Sequence, residues 1–222
     1  DVDTFNPDKV SQQRMITIQK NLNIPEDKTI ILLPGRITKW KGQEYFLNVL
    51  HNIKYKNYLC IMLGDGDKHG RFKNFLENKI EELGLLGRVR LEPNISDISS
   101  LYMLSDVVIS SSIRGEAFGR IAIEGQAMKK AVIATAIGGS LETIINGKTG
   151  WLVPENDYME FAKVLDKVLK MDLEKKREIG EVARKHILDN FTTQTMCDKT
   201  IEVYKNLVKG RIDLIQSKFK KY

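Results

Sequence analysis

Histidine and cysteine are scarce: three and two in 222 residues. His51, His69 and His186 lie far apart, and no His/Cys/Asp group has metal-ligand spacing, so no metal centre is expected. The histidines read as surface or helix-filling residues. Cys60 falls in an apolar strand-like run and Cys197 in a helical run. Two cysteines in a chain this long make no disulfide framework, and nothing points to secretion. No segment has the pattern of a secretory leader, and no apolar run is long enough to span a bilayer. The expected location is the cytoplasm. Two familiar phosphate motifs are also missing. Gly64-x-Gly66 would need glycine at His69 to complete the dinucleotide fingerprint, and Gly147-Lys148-Thr149 would need glycine at Glu142 to end a P-loop. No serine sits in a G-x-S-x-G context. Basic residues are not interleaved with aromatics on one stripe, so nucleic acid is not an expected partner.

What is present is an ordinary globular composition, 42% hydrophobic and 29% charged, with a net charge of +6. That charge admits acidic ligands or an anionic membrane without choosing between them. Buried-strand runs at 29–33, 58–63, 89–91, 107–111, 131–134 and 151–153 alternate with helical spacing at 43–56, 71–83, 98–104 and after 118, with a short helix at 141–145. Residues 1–25 read as a polar stretch leading by a loop into the first strand. Strands alternating with crossover-length helices predict a doubly wound, Rossmann-like parallel sheet of about six strands with helices on both faces. From Asp157 onward only helical stripes follow. With no internal repeat, low-complexity linker or change of composition, one domain is the simplest reading of these residues.

The chain is organised around Ser110–Gly125, S-S-S-I-R-G-E-A-F-G-R-I-A-I-E-G. It reads as strand, polar loop and helix, and in such sheets ligands collect at the carboxyl ends of strands. Gly115 and Gly119 allow close backbone approach. A helix starting near Phe118 or Gly119 would offer unpaired amides to an anion, most naturally a phosphate. Glu116 in the loop and Glu124 in the helix suit sugar hydroxyls, which carboxylates accept well. A nucleotide sugar satisfies all three features. Taken alone, the two acids equally fit a helix start and a solvated face.

Arg36-Ile-Thr-Lys-Trp-Lys41 stands between Gly35 and Gly42, after the first strand. A diphosphate leaving group needs cations for its growing charge, and arginine and lysine supply a planar fork and a point charge. By itself this is also a plain solvated loop. A second phosphate-type loop at the same sheet edge favours the functional reading.

G-R-I-T-K-W-K-G, L-G-D-G-D, the E-x7-E pair Glu116 and Glu124 around F-G, G-G-S-L-E and N-G-K-T-G-W-L-V-P together resemble the family 4 glycosyltransferases, which are retaining, metal-independent enzymes of the GT-B type. The resemblance runs from about Asp1 to Asn190, which implies a donor-binding domain at 1–190 and a C-terminal helix and basic tail at 191–222. It implies the C-terminal, donor-binding half of a two-domain enzyme, one half of a GT-B fold; D-V-D-T-F-N-P resembles the segment that follows the N-terminal acceptor domain, and the chain, lacking a starting Met, reads as the middle of a longer protein. It implies that Arg36 and Lys41 hold the donor diphosphate, that Gly119, Arg120 and Ile121 offer amides to phosphate beside Phe118, and that Glu124 binds the ribose. Glu116 would hold or polarise the transferred sugar, with Gly35, Gly64 and Gly66 lining the cleft. The chain departs from the family pattern at Arg120, where an aliphatic residue is usual. It also departs at Lys130-Ala131 and in lacking a proline before Ser111.

The implied activity is transfer of a hexosyl or related group from a UDP- or GDP-sugar to a saccharide or lipid-linked acceptor, as in cell-envelope polysaccharide synthesis, with no cofactor. A nucleotide-sugar-binding module without catalysis and a sugar-nucleotide epimerase of GT-B architecture remain the alternatives. The tail from Lys209 carries cations among apolar residues. It fits either a helix returning to the acceptor domain or a basic amphipathic contact with the inner face of the membrane.

Overall fold

A computed structural model describes residues 1–66 and 70–219, with side chains as far as Lys209. Six parallel strands form one sheet: β1 (Thr29–Pro34), β2 (Tyr58–Leu63), β3 (Val89–Glu92), β4 (Val107–Ser110), β5 (Ala131–Thr135) and β6 (Trp151–Val153). Their order is β3-β2-β1-β4-β5-β6. The chain steps outward from β1 to β3, then returns to place β4 on the other side of β1, with Ile31 and Leu32 against Val107 and Val108. The junction of β1 and β4 is therefore the point where strand order reverses.

Every residue of β2, β4 and β5 is buried, as expected for a sheet covered on both faces. Alternation along β1 divides the core. Ile31 and Leu33 face the layer formed by α2 (Gln43–Asn52), α3 (Arg71–Glu82) and α7 (Tyr158–Leu169). Ile30 and Leu32 face α1 (Gln12–Asn21), α4 (Ile98–Leu104) and α5 (Arg120–Ala127). The short α6 (Ser140–Thr143) follows β5, and α8 (Leu173–Asn190) and α9 (Thr193–Phe219) complete the chain. The doubly wound parallel sheet with a helical C-terminal end is as expected from the sequence.

Two local expectations need correction. Residues 1–25 are not simply a polar approach to β1. They contain α1, capped by Ser11, whose hydroxyl accepts from the Arg14 amide at 3.3 Å. Only Ile18 of this helix is buried, so its apolar stripe is too thin to stand out. Part of its attachment is polar: Arg14 donates to both carboxylate oxygens of Asp97, at 2.6 and 2.9 Å. Helix α2 ends at Asn52 rather than running to 56. The carboxylate of Asp166, on α7, captures the amides of Lys54 and Tyr55 at 2.8–3.1 Å, which turns the chain away from helix. His69 lies outside the described residues. So do the side chains of the basic tail beyond Lys209, on which its membrane-contact reading depends.

Candidate active site at the reversal of strand order

The loops leaving β1 and β4 are joined backbone to backbone. Gly42 adopts φ +74°, and a Cβ there would lie 1.9 Å from the Ser111 carbonyl oxygen. No residue but glycine fits both constraints. The Ser111 hydroxyl donates to the carbonyls of Lys41 and Gly42 at 3.1 and 3.2 Å, and the Ile113 amide donates to the Trp40 carbonyl at 2.9 Å. The neighbouring loop is joined similarly. The Gly35 amide donates to the Leu63 carbonyl at 2.8 Å, and a Cβ on Gly64 would lie 2.1 Å from the Gly35 oxygen. Gly64 thus serves this close approach of loops, whereas among the described residues a Cβ on Gly66 would meet only Ile37 Cβ, 4.0 Å away.

This scaffold brings Lys41 and Glu116 together. Lys41 is 9% exposed, its ammonium 4.5 Å from the Trp40 ring centre and 2.8 Å from Glu116 Oε1. A cation this enclosed needs such partners to offset lost hydration. The Ser112 hydroxyl donates to the same Glu116 oxygen. The other oxygen, Oε2, receives no hydrogen bond from the described residues. Arg36 is exposed, with its guanidinium 5.9 Å from the Trp40 ring centre, so both cations flank one indole.

Glu116 is also held through its backbone. Its carbonyl accepts from the Gly139 amide at 2.8 Å, and Gly138, at φ +58°, leaves no room for a Cβ, which would sit 2.5 Å from that carbonyl. Gly115, in the same loop, packs towards Gly138. In the sequence Gly138-Gly139 stands within the G-G-S-L-E motif with no site role of its own. A glycine pair at the end of a third strand on the same edge was the available signal. Ser112 was missed too, although a run of three serines at a strand end marks a polar site.

Helix α5 starts from Gly119, its N-cap at φ +69°. Ala122 and Ile123 donate to the Gly119 carbonyl, while Arg120 and Ile121, at the first two positions, have no intrahelical acceptor. The helix lies tight on the sheet because a Cβ on Gly125 would come 2.8 Å from Val132 Cγ2. Ile121 Cδ1 would meet a Cβ on Gly35 at 3.2 Å, so the helix start adjoins the β1 loop. Phe118 is exposed and edge-on to Phe191.

Glu124 is not solvated. Its side chain is 13% exposed; Oε2 accepts from the Tyr102 hydroxyl at 2.9 Å and Oε1 from Arg120 at 3.0 Å. Burial, reinforced by Glu124 beside it, pushes the Tyr102 phenol well above its usual range. A groove of about 670 Å³ runs along this side of α5, lined by Phe118, Arg120, Ile123, Glu124, Phe191 and Met196 among others. Among the described residues no cluster of three or more His, Cys, Asp or Glu is placed to hold a metal ion.

The profile of the glycosyl transferases group 1 family matches residues 15–186, and the chain belongs to that family. The capsular polysaccharide biosynthesis glycosyltransferase CapM of Staphylococcus aureus is 29% identical over 196 residues, 86% of this chain and 50% of CapM. The chain spans about half the length of the curated relatives it matches. The crystal structure of a glycosyltransferase from Rickettsia africae ESF-5 superposes with a TM-score of 0.88 at 37% identity, over 94% of this chain and 55% of that one. The C-terminal domain of a glycosyl transferase group 1 family protein from Francisella tularensis superposes at 0.73 with 28% identity, over 87% of this chain and 98% of that domain. Anabaena HepE, crystallised with UDP and glucose, shares the fold at 0.83 with 23% identity, over 93% of this chain and 55% of HepE.

Proposed function

We propose that this chain is the donor-binding half of a retaining, metal-independent glycosyltransferase that takes its sugar from a nucleoside diphosphate. The observation that carries the reading is the meeting of Lys41 and Glu116, 2.8 Å apart, where strand order reverses. Open α/β sheets bind ligands at that place. The diphosphate would lie across Arg36, Lys41 and the first amides of α5, where cations and oriented N–H groups stabilise charge developing on the leaving phosphate. Glu116, tied down through Oε1, keeps Oε2 for a hydroxyl of the transferred sugar. Glu124 would take the ribose, and Gly35, Gly64, Gly66 and Phe118 would border the cleft. The bond from the anomeric carbon to the diphosphate breaks with its electron pair going to the diphosphate, which takes the proton of the acceptor hydroxyl, and the acceptor oxygen bonds to the same carbon with configuration kept.

HepE was crystallised with UDP, with UDP-glucose, and with UDP and glucose, which supports a nucleotide-sugar donor. The acceptor, a saccharide or a lipid-linked saccharide, would be presented by an N-terminal domain. Titration calorimetry with UDP-, GDP- and ADP-sugars, with a chelator present, tests the reading. Saturable binding to at least one, unchanged by the chelator, is expected. Absence of binding to all of them contradicts it.

A further inference from the structure

Tyr102 belongs to α4, not to either loop of the site, yet it reaches Glu124. Its side chain is fully buried. Its ring packs edge-on against Phe5, with centroids 5.6 Å apart and planes at 88°, and its carbonyl accepts from the Ser105 hydroxyl at 2.7 Å. Ring and backbone are thus fixed, and the phenol points at one carboxylate oxygen, Glu124 Oε2, at 2.9 Å. The opposite oxygen is treated differently. Oε1 is held by Arg120, whose side chain is 79% exposed, and ion pairs to so exposed a cation contribute little and part readily. One oxygen is therefore anchored from the protein interior and the other is capped by a group that solvent can remove.

We propose that Tyr102 is a positioning residue of the donor site: it locks the Glu124 carboxylate by Oε2, so that Oε1, once Arg120 moves off, is presented to the ligand in one fixed orientation. The inference rests on the reading that Glu124 meets the ribose. A free glutamate loses side-chain entropy when it engages a ligand, and a carboxylate already fixed does not. Burial beside Glu124 keeps the phenol protonated, so it remains a donor while the acid accepts. Tyr102 acts only through Glu124, so removing its hydroxyl alters recognition of the diol and spares recognition of the phosphates.

The test compares the 222-residue chain, Tyr102→Phe and Glu124→Gln. Each is titrated with the best-binding of uridine, guanosine and adenosine diphosphate, with its 2′,3′-dideoxy counterpart, and with inorganic pyrophosphate. The unaltered chain should prefer the ribonucleotide by at least about tenfold, as a charge-assisted hydrogen bond implies. Tyr102→Phe should reduce that preference roughly three- to tenfold, the range for one neutral donor, with pyrophosphate affinity unchanged. If Glu124→Gln loses the preference while Tyr102→Phe keeps it, Glu124 does meet the ribose and the role given to Tyr102 is overturned. If Tyr102→Phe weakens pyrophosphate as much as ribonucleotide, Tyr102 serves the fold and the proposal is overturned. If the unaltered chain shows no preference, both the ribose reading and the proposal fail.

Discussion

Lys41 and Glu116 are 75 positions apart in sequence and 2.8 Å apart in space, joined by one ion pair at the carboxyl ends of β1 and β4. The contact depends on Gly42, which lets the β1 loop lie against Ser111. A Gly42→Ala chain must relieve both the left-handed backbone and a 1.9 Å overlap with a carbonyl. The expected loss of stability is about 2–4 kcal/mol, measured by urea unfolding. Gly66→Ala, with no atom of the described residues nearer than 4.0 Å to the added Cβ and no positive φ, should stay within about 1 kcal/mol.

Asp97 gives the chain a share of its acid sensitivity. Arg14 beside it, helped by Ser100, holds its carboxyl at about 2, below the ordinary 3.8. The depressed value means that this pairing contributes fully above about pH 4 and is lost as pH falls towards 2. Arg14 is 42% exposed, so solvent screening limits the contribution to about 1–2 kcal/mol. Asp97→Asn should lower stability at pH 7 by that amount and flatten the fall between pH 4 and 2, as followed by circular dichroism. An unchanged slope would show that the pair is inert.

Thiol chemistry separates the two cysteines. Cys60 is fully buried in β2, where burial raises its pKa, while Cys197 is exposed on α9. A thiolate is the reactive form. Ellman's reagent should therefore label one thiol per folded chain quickly, and the second only on unfolding. Cys197→Ser should remove the fast phase.

Much of this architecture is legible in the sequence because buried strands are continuous apolar runs. Ile30 to Leu33 and Leu59 to Leu63 need no context to be read. Helix α1 is harder to see, since it buries one residue and is tied to α4 by Arg14 and Asp97, 83 positions apart. The end of α2 depends on Asp166, over a hundred positions later. The site divides in the same way. Arg36, Lys41 and Glu116 stand beside glycines in the loops after strands, and Glu124 follows Glu116 at the E-x7-E spacing, so they announce themselves. Ser112 lies four positions before Glu116 in the same loop, whereas Gly138, Gly139 and Tyr102 act from elsewhere in the chain, and only folding brings them into contact.

The isolated chain should bind a nucleoside diphosphate yet transfer sugar to an acceptor poorly or not at all. If this half supplies only one wall of the cleft, the orientation of the acceptor and the exclusion of water are missing, which is worth several powers of ten in rate. The measurement is radiolabelled sugar transfer by the chain alone, compared with a family member that spans both halves. Transfer by the chain alone at that member's rate would show that it holds a complete site.

The most direct test of the account is to titrate Lys41→Ala and Arg36→Ala with a nucleoside diphosphate and with the parent nucleoside. If the β1 loop holds the diphosphate, each variant should lose about 1.5–3 kcal/mol of diphosphate affinity, the worth of a charge-assisted hydrogen bond, and much less for the nucleoside. Equal losses for both ligands, or none for either, would contradict the placing of the donor diphosphate at the junction of β1 and β4.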